Sequence, residues 1–192
     1  MAAPVGPADE TTVDSRSDQT LIDAINDGDT EAFEVLYYRY RDWVANLAVR
    51  FTGDRDLALD VLQETFVYFV KKFPGFRLTA RLKTFLYPAV RNLSIAARRR
   101  TRRLQSSPEE LAILAGLSTT APLPIGNECL EAALRSLSQE HGEVLLLRFV
   151  DGLSLAEIAG TLDIPLGTVK SRLHNALGAL RRDSRTKSFF EP

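Results

Sequence analysis

The chain has 192 residues, 45% of them hydrophobic, and a formal net charge of −1 at pH 7. That length holds one medium domain or two small ones, and that apolar content supports a packed core and excludes general disorder. A near-zero net charge excludes a polycation, so any nucleic-acid surface must come from segregated charge, and the single cysteine, Cys129, excludes an intramolecular disulfide and a multi-cysteine zinc site.

Residues 1–17 are polar, with prolines first and acids after them, and read as a disordered tail. They hold no apolar stretch suited to a signal peptide, and no run in the chain approaches the ~20 apolar residues of a membrane span. A cytoplasmic protein is the expectation. Asp18 opens a short helix through Leu21, Ile22 and Ile25, and Asn26-Asp27-Gly28-Asp29 turns the chain. A strongly periodic helix follows, with Phe33, Leu36, Tyr37, Tyr40, Trp43, Val44, Leu47 and Ala48 on its apolar side, until Thr52-Gly53-Asp54 stops it. Residues 56–73 form the next helix. Leu57, Ala58, Val61, Leu62, Thr65, Phe66, Phe69 and Val70 line one side, and Asp60, Gln63, Glu64 and Tyr68 lie beside or opposite them.

After the breaker Phe73-Pro74-Gly75-Phe76, residues 81–103 predict a helix with Leu82, Phe85, Leu86, Val90, Leu93 and Ile95 as apolar members. Its charge has one sign. Arg81, Lys83, Arg91, Arg98, Arg99, Arg100, Arg102 and Arg103 are basic, and no Asp or Glu interrupts them. Like charges destabilise an isolated helix. An anionic partner explains the run, and so do solvated basic termini. The interleaved Phe85, Tyr87 and Asn92 favour a nucleic acid, because aromatics and amides stack on and hydrogen-bond to unpaired bases.

Residues 104–126 change composition to Ser, Thr and Pro clusters around a weakly apolar stretch, which reads as a flexible linker with a turn or two of helix near 109–115. Two helices over 128–136 and 139–150 then supply Leu130, Leu134, Leu137, Val144, Leu145, Leu147 and Phe149 as core. Residues 153–180 predict a helix-turn-helix. Ser154 and Glu157 have capping-box spacing, and Leu155, Ile158, Ala159 and Leu162 recur at helical intervals. Pro165, with no N–H to donate, suits the first turn of a second helix. There Leu166, Val169, Leu173, Ala176, Leu177 and Leu180 share one face, and Gly167, Lys170, Ser171, His174 and Gly178 share the other. An ordinary helical hairpin with a solvated polar face has the same outline. The acid-free, small and basic outer face favours insertion into a DNA major groove. Arg181, Arg182 and Arg185 sit near the negative end of that helix, and Phe189-Phe190 in the tail has no evident burial partner.

No alternating strand pattern of useful length occurs, so the fold class is all-α. The expected organisation is two small helical domains, 18–103 and 127–183, joined by the flexible linker, with a tail at 184–192. Each domain carries its own candidate nucleic-acid surface.

These residues resemble the extracytoplasmic-function group of bacterial RNA polymerase sigma factors, from about Leu21 to Arg182. Leu59-Asp60-Val61-Leu62-Gln63-Glu64-Thr65-Phe66 is similar to the family's core-binding helix, and Leu82-Lys83-Thr84-Phe85-Leu86-Tyr87 with Arg91-Asn92-Leu93 to its promoter-melting segment. Glu143-Val144-Leu145-Leu146-Leu147-Arg148-Phe149, Gly152-Leu153-Ser154, Glu157-Ile158-Ala159 and Gly167-Thr168-Val169-Lys170-Ser171-Arg172-Leu173 resemble its C-terminal domain. The resemblance implies that Asp60, Gln63 and Glu64 grip core RNA polymerase. It implies that Lys83, Phe85, Tyr87, Arg91 and Asn92, with Arg98 and Arg99 of the basic run, hold the downstream promoter element. It gives Thr168, Lys170, Ser171, Arg172 and His174 the upstream element, and threads the linker toward the RNA exit path. Promoter DNA and core polymerase are the implied partners, and an anti-sigma factor is a further one. Three positions depart from the family pattern: Phe85 where Trp is usual, Pro88 inside the basic helix, and Gly142 where a long polar side chain is common.

A plain regulator using only the helix-turn-helix is the competing class, although the first domain shows no ligand-pocket or phosphoacceptor pattern. An enzyme fits least. His141 and His174 suggest neither a metal pair nor a catalytic dyad, and no cofactor is expected.

Overall fold

The computed structural model describes residues 14–105 and 128–187, and the expectations for 1–13, for 106–127 with its turn of helix, and for Phe189-Phe190 lie outside them. Among the described residues are eight α-helices and no strand. Short side chains set the boundaries. The Ser17 hydroxyl accepts the Thr20 N–H and starts α1 (Asp18–Asn26). Asp29 accepts from the N–H groups of Glu31 and Ala32 and starts α2 (Thr30–Thr52). Gly53, at φ 76°, ends α2 in the left-handed region, where a side chain would be strained. Asp54 then accepts from Asp56 and Leu57 and starts α3 (Arg55–Val70). Caps of this type are each worth ~1 kcal/mol.

Helix α3 ends three residues before the expected 73. Phe73 leaves the helix, and its ring packs on Phe69 at 5.2 Å and Phe76 at 5.5 Å. Those rings close this end of the core, and Val70 is exposed instead of lining it. Helix α4 (Leu82–Gln105) runs through Pro88 without interruption. Proline has no N–H to give the carbonyl of Thr84.

The second unit comprises α5 (Glu128–Arg135), α6 (Gln139–Phe149), α7 (Leu155–Leu162) and α8 (Leu166–Arg182). The expected capping box is present: Glu157 N–H donates to Ser154 Oγ at 3.2 Å and Ser154 N–H to Glu157 Oε2 at 2.7 Å. Asp163 ends α7 in the left-handed region at φ 52°. Pro165 sits one residue earlier than expected, at the N-cap, and its carbonyl accepts from Thr168 and Val169. In this unit two apolar residues expected inside lie outside. Phe149 is 60% exposed because Val144, Leu145 and Leu147 take the inner side of α6, and Leu166 is exposed because α8 begins there, before the turn that docks.

In the first unit α2, α3 and α4 pack on one another, with α1 against α2. In the second, α8 packs on α6 and α7. One apolar cluster runs from Leu21, Leu36, Leu47, Phe69 and Leu86 of the first unit into Val144, Leu147, Leu153, Ile158 and Val169 of the second. A smaller cluster, Ala133, Leu134, Leu145, Ala176 and Leu180, holds α5 and the far end of α8. Across the units α4 packs on α7.

Candidate nucleic-acid interface

Helix α8 is held by its inner face, where Val169, Ala176 and Leu180 are buried. Lys170, Ser171 and His174 project into solvent together, as one turn of helix requires once Val169 points inward. Ser171 donates to the Thr168 carbonyl at 3.0 Å, which keeps this side chain folded down on the helix. Thr168 and Arg172 are half-buried on the flank. Arg172 is paired with Glu140 Oε2 at 2.7 Å. The outer face therefore presents short donors and a cation, with no carboxylate of its own helix between them.

Helix α4 is divided. Asn92 and Arg99 are exposed and line one shallow cleft with Ile95, Ala96, Arg100 and Arg103. Arg98 is turned toward α2, where it donates to the Phe51 carbonyl at 3.2 Å, and burial, with Arg102 nearby, lowers its pKa. Phe85 belongs to an aromatic cluster, 4.7 Å from Phe76, 5.8 Å from Phe69 and stacked on Tyr68 at 6.0 Å. Lys83, Tyr87 and Arg91 face the second unit. Lys83 Nζ donates to the Asp151 carbonyl at 3.1 Å and lies over the Trp43 ring. Arg91 Nε is 3.3 Å from Glu143 Oε1, close enough to pair but off the line of a hydrogen bond.

Tyr87 is turned inward in this arrangement. A ring expected to be available to unpaired bases is 3% exposed. It meets Phe51 edge-on at 5.8 Å and donates its hydroxyl to Glu143 at 2.7 Å. Burial, and then the Glu143 carboxylate, push the phenol above its ordinary pKa.

On α3, Asp60 and Gln63 are exposed, while Glu64 is half-buried and paired with Arg100 at 3.2 Å. Beside them Leu59 and Val67 are 54% and 50% exposed, and with Gln63 they follow the i, i+4, i+8 spacing of one face. Sequence reading passed over this pair. The available signal was their position outside the apolar stripe. It also passed over Arg50, Glu143 and Asp151, for which no local pattern exists. Arg50 Nη2 donates to both Asp151 carboxylate oxygens, at 2.8 and 2.9 Å, and Trp43 Nε1 donates to one of them at 2.7 Å. Among the described residues no helix is long and apolar enough to cross a membrane.

Comparison with known proteins accounts for both units. Residues 36–104 match the family described as Sigma-70 region 2, and residues 133–182 match Sigma-70, region 4. The chain is 31% identical over 177 residues to the ECF RNA polymerase sigma-E factor of Escherichia coli (strain K12), covering 85% of this chain and 92% of that protein. It is 29% identical to the ECF RNA polymerase sigma factor SigW of Bacillus subtilis (strain 168), covering 85% and 95%. The fold is shared with CnrH, solved in complex with the cytosolic domain of CnrY, at a TM-score of 0.60, 24% identity, and coverage of 84% and 93%. It is shared equally with the sigma factor RpoE of Bartonella quintana, solved with the anti-sigma factor NepR, at a TM-score of 0.61, 23% identity, and coverage of 79% and 96%. Two sigma-70 regions in order on two helical units, and a sigma-E relative matched over nearly its whole length, place the chain in the extracytoplasmic-function family of RNA polymerase sigma factors.

Proposed function

We propose that this sigma factor carries core RNA polymerase to specific promoters, with a separate surface for each step. Helix α8 reads the upstream element through Lys170, Ser171 and His174, and Thr168 and Arg172 hold the backbone beside it. The face of α4 that carries Lys83, Phe85, Tyr87, Arg91 and Asn92, followed by Arg98 and Arg99, engages the downstream element as it opens. Asp60, Gln63 and Glu64 of α3 dock on core polymerase, with Leu59 and Val67 adding apolar area to the contact. An anti-sigma factor is the remaining partner of this reading.

The observation that carries it is the outer face of α8. Lys170, Ser171 and His174 stand exposed on a helix locked by Val169, Ala176 and Leu180. That is the arrangement a recognition helix needs to enter a major groove without unpacking its own domain. The test is transcription reconstituted from purified core polymerase, this chain and a selected promoter, with permanganate probing of unpaired thymines. Promoter-dependent transcripts and an open region are expected, and Asn92→Ala should retain promoter binding while losing permanganate reactivity. Normal opening by that variant would remove α4 from the melting step. Absence of any complex with core polymerase would remove the whole reading.

A further inference from the structure

Asn26 is the last residue of α1, and its side chain grips the turn between α3 and α4, 50 residues away. Its amide oxygen accepts the Gly75 N–H at 2.6 Å, and its amide nitrogen donates to the Phe76 carbonyl at 2.9 Å. A backbone N–H only donates and a carbonyl only accepts, so one orientation of the amide satisfies both. Gly75 itself has φ 97°, in the left-handed region that a side chain would strain. The turn is therefore fixed twice, by its own glycine and by α1.

What this clamp places is the Phe76 ring. It lies 4.7 Å from Phe85, 5.4 Å from Phe69 and 5.5 Å from Phe73. Phe76 and Phe85 are both half-buried, so each keeps part of its ring at the surface. Beside them Lys71, Lys72 and Arg77 are exposed, and residues 71–81 contain no Asp or Glu. Aromatic faces next to cations suit an unpaired strand, with rings for bases and charge for phosphates. Phe85 is smaller than the tryptophan usual in the family, and Phe76 is the ring that backs it most closely. The Asn26 amide is committed to the turn, so it acts on a strand only through these two rings.

We infer that Asn26 is a positioning residue for opening of the downstream element, holding Phe76 against Phe85 and so fixing the ring that an unpaired base meets. The inference rests on the proposed DNA role of α4. A turn freed from the clamp occupies the competent arrangement for only part of the time, and opening slows by that fraction. Two net hydrogen bonds set the factor at about ten.

The test compares holoenzymes carrying wild type, Asn26→Ala, Phe76→Ala and the double variant on one selected promoter. Asn26→Ala should keep core-polymerase affinity and upstream-element binding, and should open the promoter about tenfold more slowly by permanganate reactivity. Phe76→Ala should slow opening at least as much. The double variant should be no slower than Phe76→Ala alone, because Asn26 works through that ring. Losses that add would make Asn26 a general stabiliser and overturn the inference, as would wild-type opening by Asn26→Ala. Asn26→Asp keeps the acceptor for Gly75 and removes the donor to Phe76, and it takes the place of Asn26→Ala in the cycle if that variant loses helical content. Phe85→Ala separates the two levels of failure. If it slows opening while the Asn26 variants do not, the DNA role of α4 stands and only the clamp fails. If Phe85→Ala opens normally, the placement of Phe85 has no bearing on opening and both fail.

Discussion

Arg50 and Asp151 lie 101 residues apart in the chain and meet through both carboxylate oxygens, with their side chains 10% and 1% exposed. A pair this dry contributes little over a well-packed apolar pair, but removing one member leaves an uncompensated charge. Arg50→Ala should therefore lower stability by up to about 3–5 kcal/mol, bounded by the energy that holds the units together, since open units return Asp151 to water. Arg50→Met with Asp151→Leu should recover most of that loss. Urea unfolding followed by circular dichroism measures both, and a double variant no more stable than Arg50→Ala would contradict the desolvation argument.

The recognition helix separates reading from holding. Lys170 is exposed at the centre of the outer face, and Arg172 is half-buried beside Glu140. Lys170→Ala should cost ~1–3 kcal/mol and relax preference at one base pair of the upstream element. Arg172→Ala should weaken all sequences about equally and reduce the salt dependence by about one unit of slope. Promoter-library selection at two salt concentrations checks both, and an unchanged preferred sequence with Lys170→Ala would make Lys170 a phosphate contact.

Core binding should respond to charge on α3. Asp60→Lys with Glu64→Lys should weaken holoenzyme assembly in competition with another sigma factor while leaving helical content intact. The lost Glu64–Arg100 pair is partly exposed and contributes no more than about 1 kcal/mol to folding. Undiminished competition would exclude this face.

Gly142 lies inside α6, and a Cβ added there meets no atom within 4 Å. Gly142→Ala should stabilise the chain by roughly 0.5–1 kcal/mol, because glycine loses more backbone entropy in a helix. That corresponds to a melting temperature about 1–4 °C higher, readable by calorimetry. A lower melting temperature would contradict the open space beside Gly142.

The capping box of α7 predicts acid sensitivity. Burial tends to raise the Glu157 pKa, but the hydrogen bonds from Ser154 and the charge of Arg81 outweigh it, and the net shift is downward. A carboxylate depressed in the folded state contributes stability that is present above its unfolded pKa and is lost as pH falls through the folded one. Glu157→Gln should remove that part of the acid dependence, and Ser154→Ala should cost ~1 kcal/mol at neutral pH. Stability curves of both variants between pH 7 and acid, superimposable on wild type, would refute it.

What the sequence by itself determined is the local part of the molecule. Ser154 and Glu157 are three residues apart, Gly53 follows a helix it can end, and Val169, Ala176 and Leu180 repeat at helical spacing, so each is legible from its neighbours. The polar face of α8 and the Asp60 and Gln63 face of α3 follow from the same period, because a helix turned inward by its apolar side has one direction left for the rest. Tertiary structure alone decided the fate of the basic face of α4. Lys83 finds the Asp151 carbonyl 68 residues away, and Tyr87 finds Glu143 56 residues away. No period connects positions that far apart. Whether a tyrosine in an amphipathic helix meets bases or a carboxylate depends on which surface packs over it, and that is set by the summed burial of Leu86, Val144, Leu147, Leu153 and Ile158 across two units. Hydrophobic burial has no direction of its own, so only the assembled shape of both units brings these polar groups into register.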